Sequence, residues 1–441
     1  MNKKYLILII ILSGIISSCK KNPEDLNPDP ETKTLVNILQ GELQSLDADP
    51  LSWKDQDLRW MDPMADKSVI GLGEATHGTA EFFEAKHRIL KYMVENHDYK
   101  VFAIEADFGE SLFIDEVIQQ GNSSEIESVM KSKMHFWTWK TKEVKEMLEW
   151  MCTYNQGKAD EDKIHYMGID CQFNTYHPSM AREYLSSTGI PFYTFADSIL
   201  QVAETEQNFE SYNSASFESY IGKLEALKDS MILHKDELVA ASSEKEYQLN
   251  SRIVELVRQV SEVRYYNQVQ DFSINYRDKY MAENTAWLLD YFGDKKIVLW
   301  AHNGHISNYE YGVTGTMGNY LTYQLRDQYA TIGFLFSQGT FTAVGMEGEN
   351  YTELGTQTLD SVPRENSLNA IMSYTLEPAL SVKIEALRNY LAWFNAFEQG
   401  LNYFQMGAVY NNRPSDYYTT FDPDLFHYII YFDKSTASEL L

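Results

Sequence analysis

The sequence predicts an α/β domain: a mostly parallel central sheet flanked by helices, with a long helical insertion over a cleft at the carboxyl ends of the strands. Three observations predict it. Short apolar runs recur at 68–73, 100–105, 163–169 and 296–301. Amphipathic stretches separate the first three runs. A charged segment of helical period, about 197–270, parts the third run from the fourth. Short apolar runs bounded by turns suit strands buried on both faces. Strands alternating with helices suit a parallel sheet.

The amino-terminal element comes first. "MNKKYLILIIILSGIISSC" has two lysines, an apolar run and small residues before Cys19. That is the layout of a secretory signal, and the run is short for a membrane span. Ile16-Ser17-Ser18-Cys19 looks like a bacterial lipobox, cleaved before Cys19, with lipid on its thiol. The alternative is a plain signal peptide with a cysteine nearby. We read 1–18 as the signal and the polar, Pro-rich 19–34 as a tether. The expectation is a monomeric domain, 35–441, hung by lipid from a bacterial envelope membrane on its periplasmic or outer face.

The body of the chain is large and acidic. Its 441 residues are 44% hydrophobic, enough for an extensive core. The formal net charge of -27 excludes nucleic acid as a natural partner, because neutralising phosphates supplies most of such affinity. Cys152 and Cys171 remain after processing, in a compartment that permits a disulfide. Cys152 falls in a Trp-flanked helical pattern that suits a buried free thiol. No CxxC suggests a structural zinc site.

The helices follow from periodicity. The best patterns are 80–96 and 140–155, where Val144, Met147, Leu148 and Met151 repeat at helical spacing. In the insertion, Leu249, Ile253, Leu256, Val257, Val260 and Val263 form one stripe, and Ile221, Leu224, Leu227 and Met231 form a partner. A hairpin over one end of the sheet is the expectation; ordinary flanking helices are the alternative. The tail reads as an apolar run at 331–336, a Gly-rich loop near 338–355, a helix near 380–397 and a late strand at 426–432.

Ligands of open α/β sheets bind beyond the carboxyl ends of the strands. There the first run presents Glu74 and His77 within "GLGEATHG". The second presents Glu105 and Asp107, the third Asp170, and the fourth His302 and His305. Buried charges need partners, so a purely structural protein has little reason to gather carboxylates and imidazoles at one rim. "GLGEATHG" lacks the spacing of a nucleotide-binding fingerprint. A carboxylate beside an imidazole orients it and raises its basicity. The positive end of a helix starting near Thr79 would disfavour imidazolium. Both suit a neutral His77 that takes a proton from water.

The histidines of "WAHNGHI" either donate to an oxyanion or bind metal, or one of them holds a loop carbonyl. Asp107 and Asp170 either face a ligand or cap a helix. Arg277, in "NYRDKYMAEN", either grips an oxygen bidentately or makes a surface ion pair. His135 and Trp137 either line a pocket or belong to the core. His87, His97, His165, His234 and His427 read as structural. No G-x-S-x-G elbow is present.

The ordered set "GLGEATHGTAEFFEAKHRIL", "VFAIEAD", "MGIDCQ", "RDKYMAEN" and "WAHNGHI" resembles the erythromycin esterase family from about residue 50 to 435. The resemblance implies an α/β core with helical additions and a deep cleft. It implies hydrolysis by a histidine-activated water, of a macrolide lactone in the members that confer antibiotic resistance. By the same resemblance His77 is the general base, Glu74 and Glu105 its carboxylate partners, His302 a second essential histidine and His305 its companion. The esterases carry an arginine where this chain has Lys86, which keeps the charge but loses the bidentate fork.

The leading expectation is therefore a metal-independent hydrolase of a small-molecule ester or lactone, without cofactor. His302 or Arg277 would stabilise the oxyanion, and His305, Arg277, Lys86, Asp107 and Asp170 would bind substrate. A second expectation keeps the site but adds a divalent metal, since histidines and carboxylates at one rim also describe a first-row metal site. A third is a non-catalytic surface lipoprotein that binds a glycan or apolar ligand through its aromatics. The Glu74–His77 pair argues against it, because sugar binding needs no water-activating base.

Overall fold

The computed structural model describes residues 28–206, 208–311, 314–360 and 363–441. The expected signal segment and the lipidation residue Cys19 lie outside the described residues. Among the described residues no helix is long and apolar enough to cross a membrane.

Helix α1 (Pro30–Glu42) opens the described chain. The Asp29 side chain accepts from the amides of Glu31 and Thr32, and Pro30 suits a first turn whose N–H has no intrahelical partner. Residues 30–34, read from the sequence as tether, are therefore helical, and Leu35, Val36 and Leu39 behind them are buried.

Ten strands build the central sheet: β1 (Gln44–Leu46), β2 (Val69–Leu72), β3 (Tyr99–Asp107), β4 (His165–Asp170), β5 (Lys296–Trp300), β6 (Tyr329–Glu347), β7 (Asn350–Leu359), β8 (Ala379–Lys383), β9 (Val409–Tyr410) and β10 (Tyr428–Ser435). Their order is β1-β8-β10-β6-β2-β5-β3-β4, with β7 and β9 also paired to β6. The six strands from β10 to β4 run parallel. Strand β8 is antiparallel to β10, and β1 to β8. The four runs singled out in the sequence form the contiguous block β2-β5-β3-β4. Their carboxyl ends therefore share one rim.

Helices α2 (Ala80–His97), α3 (Phe108–Gln120), α4 (Ile126–Lys133) and α5 (Lys142–Asn155) link β2 to β3 and β3 to β4. Val144, Met147, Leu148 and Met151 of α5 are all buried, as their spacing predicts. Strand β4 ends the sheet, and helix side chains pair its backbone. Asp115 accepts from the Tyr166 amide at 2.9 Å, Asn155 from the Ile164 amide at 2.8 Å, and Asn284 donates to the Ile169 carbonyl at 2.7 Å. That leaves little free edge for another chain to pair with.

The insertion is larger than a hairpin and starts earlier. It comprises α6 (His177–Ser187), α7 (Tyr193–Thr205), α8 (Ser214–Leu233), α9 (Lys235–Ala241) and α10 (Glu244–Gln268). These helices close on a second apolar core that includes Leu185, Leu200, Phe217, Leu224 and Leu227. The predicted stripe of α10 divides between two cores. Leu256, Val260 and Val263 join the main one, while Ile253 and Val257 join the second. The last turns of α10 reach the rim, where Arg264 Nε donates to the Gln172 carbonyl at 2.6 Å, just beyond β4.

Helices α11 (Tyr276–Tyr291), α12 (Asn303–Ile306) and α13 (Met317–Leu325) flank β5 in sequence. The tail differs from expectation in two places. The supposed Gly-rich loop is the far half of β6 and its hairpin into β7, which turns at Gly348 with φ 63°. Alternating Thr340, Phe341, Thr342 and Ala343 favour strand there. The supposed helix near 380–397 yields its first residues to β8 and continues as two short helices, Ile384–Arg388 and Leu391–Glu398. Cys152 and Cys171 are both free and buried. Burial pushes the Cys152 thiol up to about 12.

Candidate active site

Strand β2 delivers the first corner. Beyond Leu72 the chain packs too closely for side chains at two points. A Cβ on Gly73 would stand 2.0 Å from Asn303 Oδ1, and one on Gly78 2.0 Å from the Thr342 carbonyl oxygen. These glycines admit neighbouring parts of the same protein, not a ligand.

Between them Glu74 is fully buried and His77 is not. His77 Nδ1 donates to Glu74 Oε1 at 2.7 Å, and the His77 side chain keeps 15% of its surface exposed. Glu74 Oε2 accepts from Lys86 Nζ at 2.6 Å and from the Trp300 indole N–H at 2.7 Å. Burial works to raise the Glu74 carboxyl, yet Lys86 and His77 hold it below its ordinary value. Lys86 lies in α2, whereas Glu74 lies in the loop before it. Burial lowers its ammonium to about 8, opposed by Glu74. The ammonium sits 4.1 Å from the Trp300 ring centroid. The proton on Nδ1 leaves His77 Nε2 as the basic nitrogen.

The second corner is an ion cluster. Arg277 Nε and Nη2 grip Asp170 at 2.9 and 2.8 Å, and Nη2 also reaches Glu105 Oε1 at 2.6 Å. Glu105 Oε2 accepts from the His302 amide at 2.8 Å. His305 Nδ1 donates to Asp278 Oδ1 at 2.8 Å, and Nε2 lies 3.2 Å from Glu105 Oε1. Burial lowers the His305 imidazole, but the two carboxylates overcome it and raise the ring to about 10. The two carboxylates thus favour the imidazolium form of His305, whose Nε2 lies 3.0 Å from Arg277 Nη1 where both side chains meet Glu105. Burial disfavours the Glu105 anion, but His305 and Arg277 hold its carboxyl well below the ordinary value.

His302 joins the corners. Its ring centroid lies 5.0 Å from that of His77. Nε2 donates to the Met406 carbonyl at 2.9 Å, and Nδ1 accepts from the Gly304 amide at 3.1 Å. Burial, then the nearby His77, lowers the ring to about 4. His302 is neutral with both nitrogens engaged.

Eight of the nine expected site residues, Lys86 and Arg277 included, thus meet in one network. Asp107 stands apart. It caps α3 by accepting from the Gly109 amide at 3.0 Å, and burial and nearby Glu110 raise its carboxyl well above the ordinary value. Three expected substrate contacts need correction. Lys86, Asp107 and Asp170 are buried and present no surface to a ligand. Their roles are to neutralise Glu74, to cap α3 and to hold Arg277. Arg277 and His305 retain 23% and 21% side-chain exposure, and Arg277 lines a surface cavity.

The sequence reading missed Asp278, which fixes His305, and Trp300, which binds Glu74. Asp278 follows Arg277 directly, so a pair of opposite charges at a helix start was the available signal. Trp300 ends an apolar run and looks like plain core. His135, expected at a pocket or in the core, donates from Nδ1 to Glu110 at 2.6 Å and stacks on Phe173.

A divalent metal would need donors that are already engaged. Among the described residues no group of three or more His, Cys, Asp or Glu is arranged to hold an ion. Chemically, the arrangement offers a base with an open nitrogen, a buried carboxylate behind it and two fixed cations nearby.

Comparison with known proteins agrees with this architecture. The family profile described as erythromycin esterase matches residues 94–435. A putative hydrolase, YbfO of Bacillus subtilis, is 26% identical over 397 residues, 81% of this chain and 83% of that protein. Erythromycin esterase type II of Escherichia coli is 25% identical over 313 residues, 64% of this chain and 72% of that protein. Among solved structures, a Bacillus cereus protein superposes with TM-score 0.78 at 21% identity, covering 93% of this chain and 99% of that one. A variant of the erythromycin esterase EreC in its open conformation superposes with TM-score 0.68 at 16% identity, covering 91% and 98%. Together they point to a hydrolase with a small-molecule substrate. The chain belongs to the erythromycin esterase family.

Proposed function

We propose that the protein hydrolyses an ester or lactone with a water activated by His77. The observation that carries this reading is the Glu74–His77 bond at the partly open end of an otherwise buried network. His77 Nε2 takes a proton as the water oxygen attacks the carbonyl carbon. The carbonyl electrons move to oxygen and form a tetrahedral oxyanion. As the oxyanion collapses, the bond to the alcohol breaks, and His77 returns the proton to the departing alkoxide. Glu74 stabilises the transient imidazolium at Nδ1.

For the oxyanion we choose the cationic pair Arg277 and His305 over His302. The His302 nitrogens are engaged by backbone, whereas Arg277 and His305 keep part of their side chains exposed. Glu105 and Asp170 hold that pair in place. His302 positions His77 by packing against it. No step needs a metal. The lipobox-like segment ending at Cys19 supports placing this activity at the cell envelope.

The test is turnover by residues 28–441 on aryl esters, simple lactones and macrolides, with and without His77→Ala and with and without chelator. Retained activity in a folded His77→Ala protein would sink the proposal. Loss with chelator and recovery with one divalent ion would move it to a metal-dependent hydrolase.

A further inference from the structure

We propose that the cavity beside Arg277 holds an apolar arm of the substrate. The inference rests on the hydrolase reading for the ester itself, but the cavity's preference stands on its own features. The cavity encloses about 320 Å³ and is lined by Val263, Tyr266, Phe272, Ile274, Tyr276 and Arg277, among others. Small-ligand sites are typically ~300–1,000 Å³ and largely apolar.

Two features mark it as a binding surface. Phe272 is 69% exposed and Ile274 37%, although the chain has two well-filled cores in which to bury such side chains. Large apolar side chains left open beside polar groups signal a ligand or partner. Tyr266 and Tyr276 also line it and stack on each other at 4.3 Å with planes 5° apart, which makes a pre-set aromatic wall. A wall already stacked loses little side-chain freedom when a ligand covers it.

Position supplies the occupant. Tyr276 and Arg277, at the start of α11, both line this cavity, so the aromatic wall and the guanidinium adjoin. Arg277 reaches Glu105, which holds the His302 amide beside His77. A carbonyl between Arg277 and His77 would place an attached hydrocarbon against Tyr276 and Phe272. The cavity across Val263 and Asn267 is lined by Phe173 together with Gln172, Asn208, Glu210, Arg264 and Gln268, so polar groups dominate it. The occupant is thus an aliphatic or aromatic acyl or alkoxy group, several carbons long, on the substrate of the same site.

The test compares the wild type with Phe272→Ser/Ile274→Ser and with Phe272→Leu. Two quantities are read: the ratio of kcat/KM for 4-nitrophenyl hexanoate to that for the acetate, and the affinity for the non-hydrolysable 4-nitrophenyl hexyl ether. The double variant should lower the ratio and the ether affinity at least tenfold, while Phe272→Leu stays within threefold of wild type. Exposed positions make misfolding a small risk, and circular dichroism checks it. If no ester is turned over yet ether binding falls as stated, the cavity assignment stands and the hydrolase reading fails. Unchanged ratio and unchanged ether affinity overturn the assignment. So does loss of self-association in the double variant with ether affinity intact, which would make the patch a contact between copies.

Discussion

Glu74 joins His77 to Lys86: one carboxylate oxygen accepts from the imidazole at 2.7 Å and the other from the ammonium at 2.6 Å. A carboxylate with no exposed surface thus orients a partly exposed imidazole. His77→Ala removes the base and should lower kcat by at least ~100-fold, the usual worth of a positioned proton acceptor. Circular dichroism and the unfolding midpoint should stay near wild type, since His77 is partly exposed. Stopped assays on an ester panel check the first outcome, and urea unfolding the second.

Lys86→Met should destabilise the fold by about 3–5 kcal/mol, because it strands a buried carboxylate. Lys86→Met combined with Glu74→Gln should recover much of that loss while remaining inactive, since neither charge is then left alone. Urea unfolding of the two single variants and the double closes the cycle. Additive losses would show that the two groups are not coupled.

Asp278→Asn should draw the His305 imidazole down from about 10, because Asp278 is the larger of its two raising carboxylates. If the cation stabilises the oxyanion, the alkaline limb of kcat/KM moves to lower pH, and activity at neutral pH falls roughly tenfold. A pH–rate profile of the variant against wild type reads the shift. An unmoved limb removes His305 from the chemistry.

Acid should weaken the fold before ordinary carboxylates titrate. Burial lowers His87, His177 and His302 to about 4 from an ordinary 6.5. The unfolded chain therefore binds more protons between those values, and stability falls as pH drops from about 6.5 towards 4. By pH 5 the loss is on the order of 2 kcal/mol per histidine. His305 works oppositely: its raised value adds stability below 6.5 that is lost as pH rises through about 10. Urea midpoints from pH 4 to 10 trace both limbs.

Local pattern exposed the site's location but not its division of labour. Glu74, His77, Glu105, Asp170, His302 and His305 each follow an apolar run, and short parallel strands bring their ends together. Spacing alone could not show that Lys86 and Asp170 are sealed from solvent, because burial depends on what packs above them. Nor could it show that both His302 nitrogens serve Met406 and Gly304, since that bond spans 104 positions of chain. The far half of β6 was missed for a related reason. Its glycines suggested a loop, while pairing with β7 and β9 supplied the hydrogen bonds that make it a strand.

Helix α10 lends one side to each of the two apolar cores. The insertion therefore cannot swing away from the sheet as an independent lid without opening apolar surface in both. The two cores should melt in a single cooperative step, and the amides of α10 should be among the slowest to exchange with deuterium. Adaptation to a different substrate would then fall to the 269–275 segment that follows α10. The helices themselves would act as a stiff frame from which that short stretch is hung.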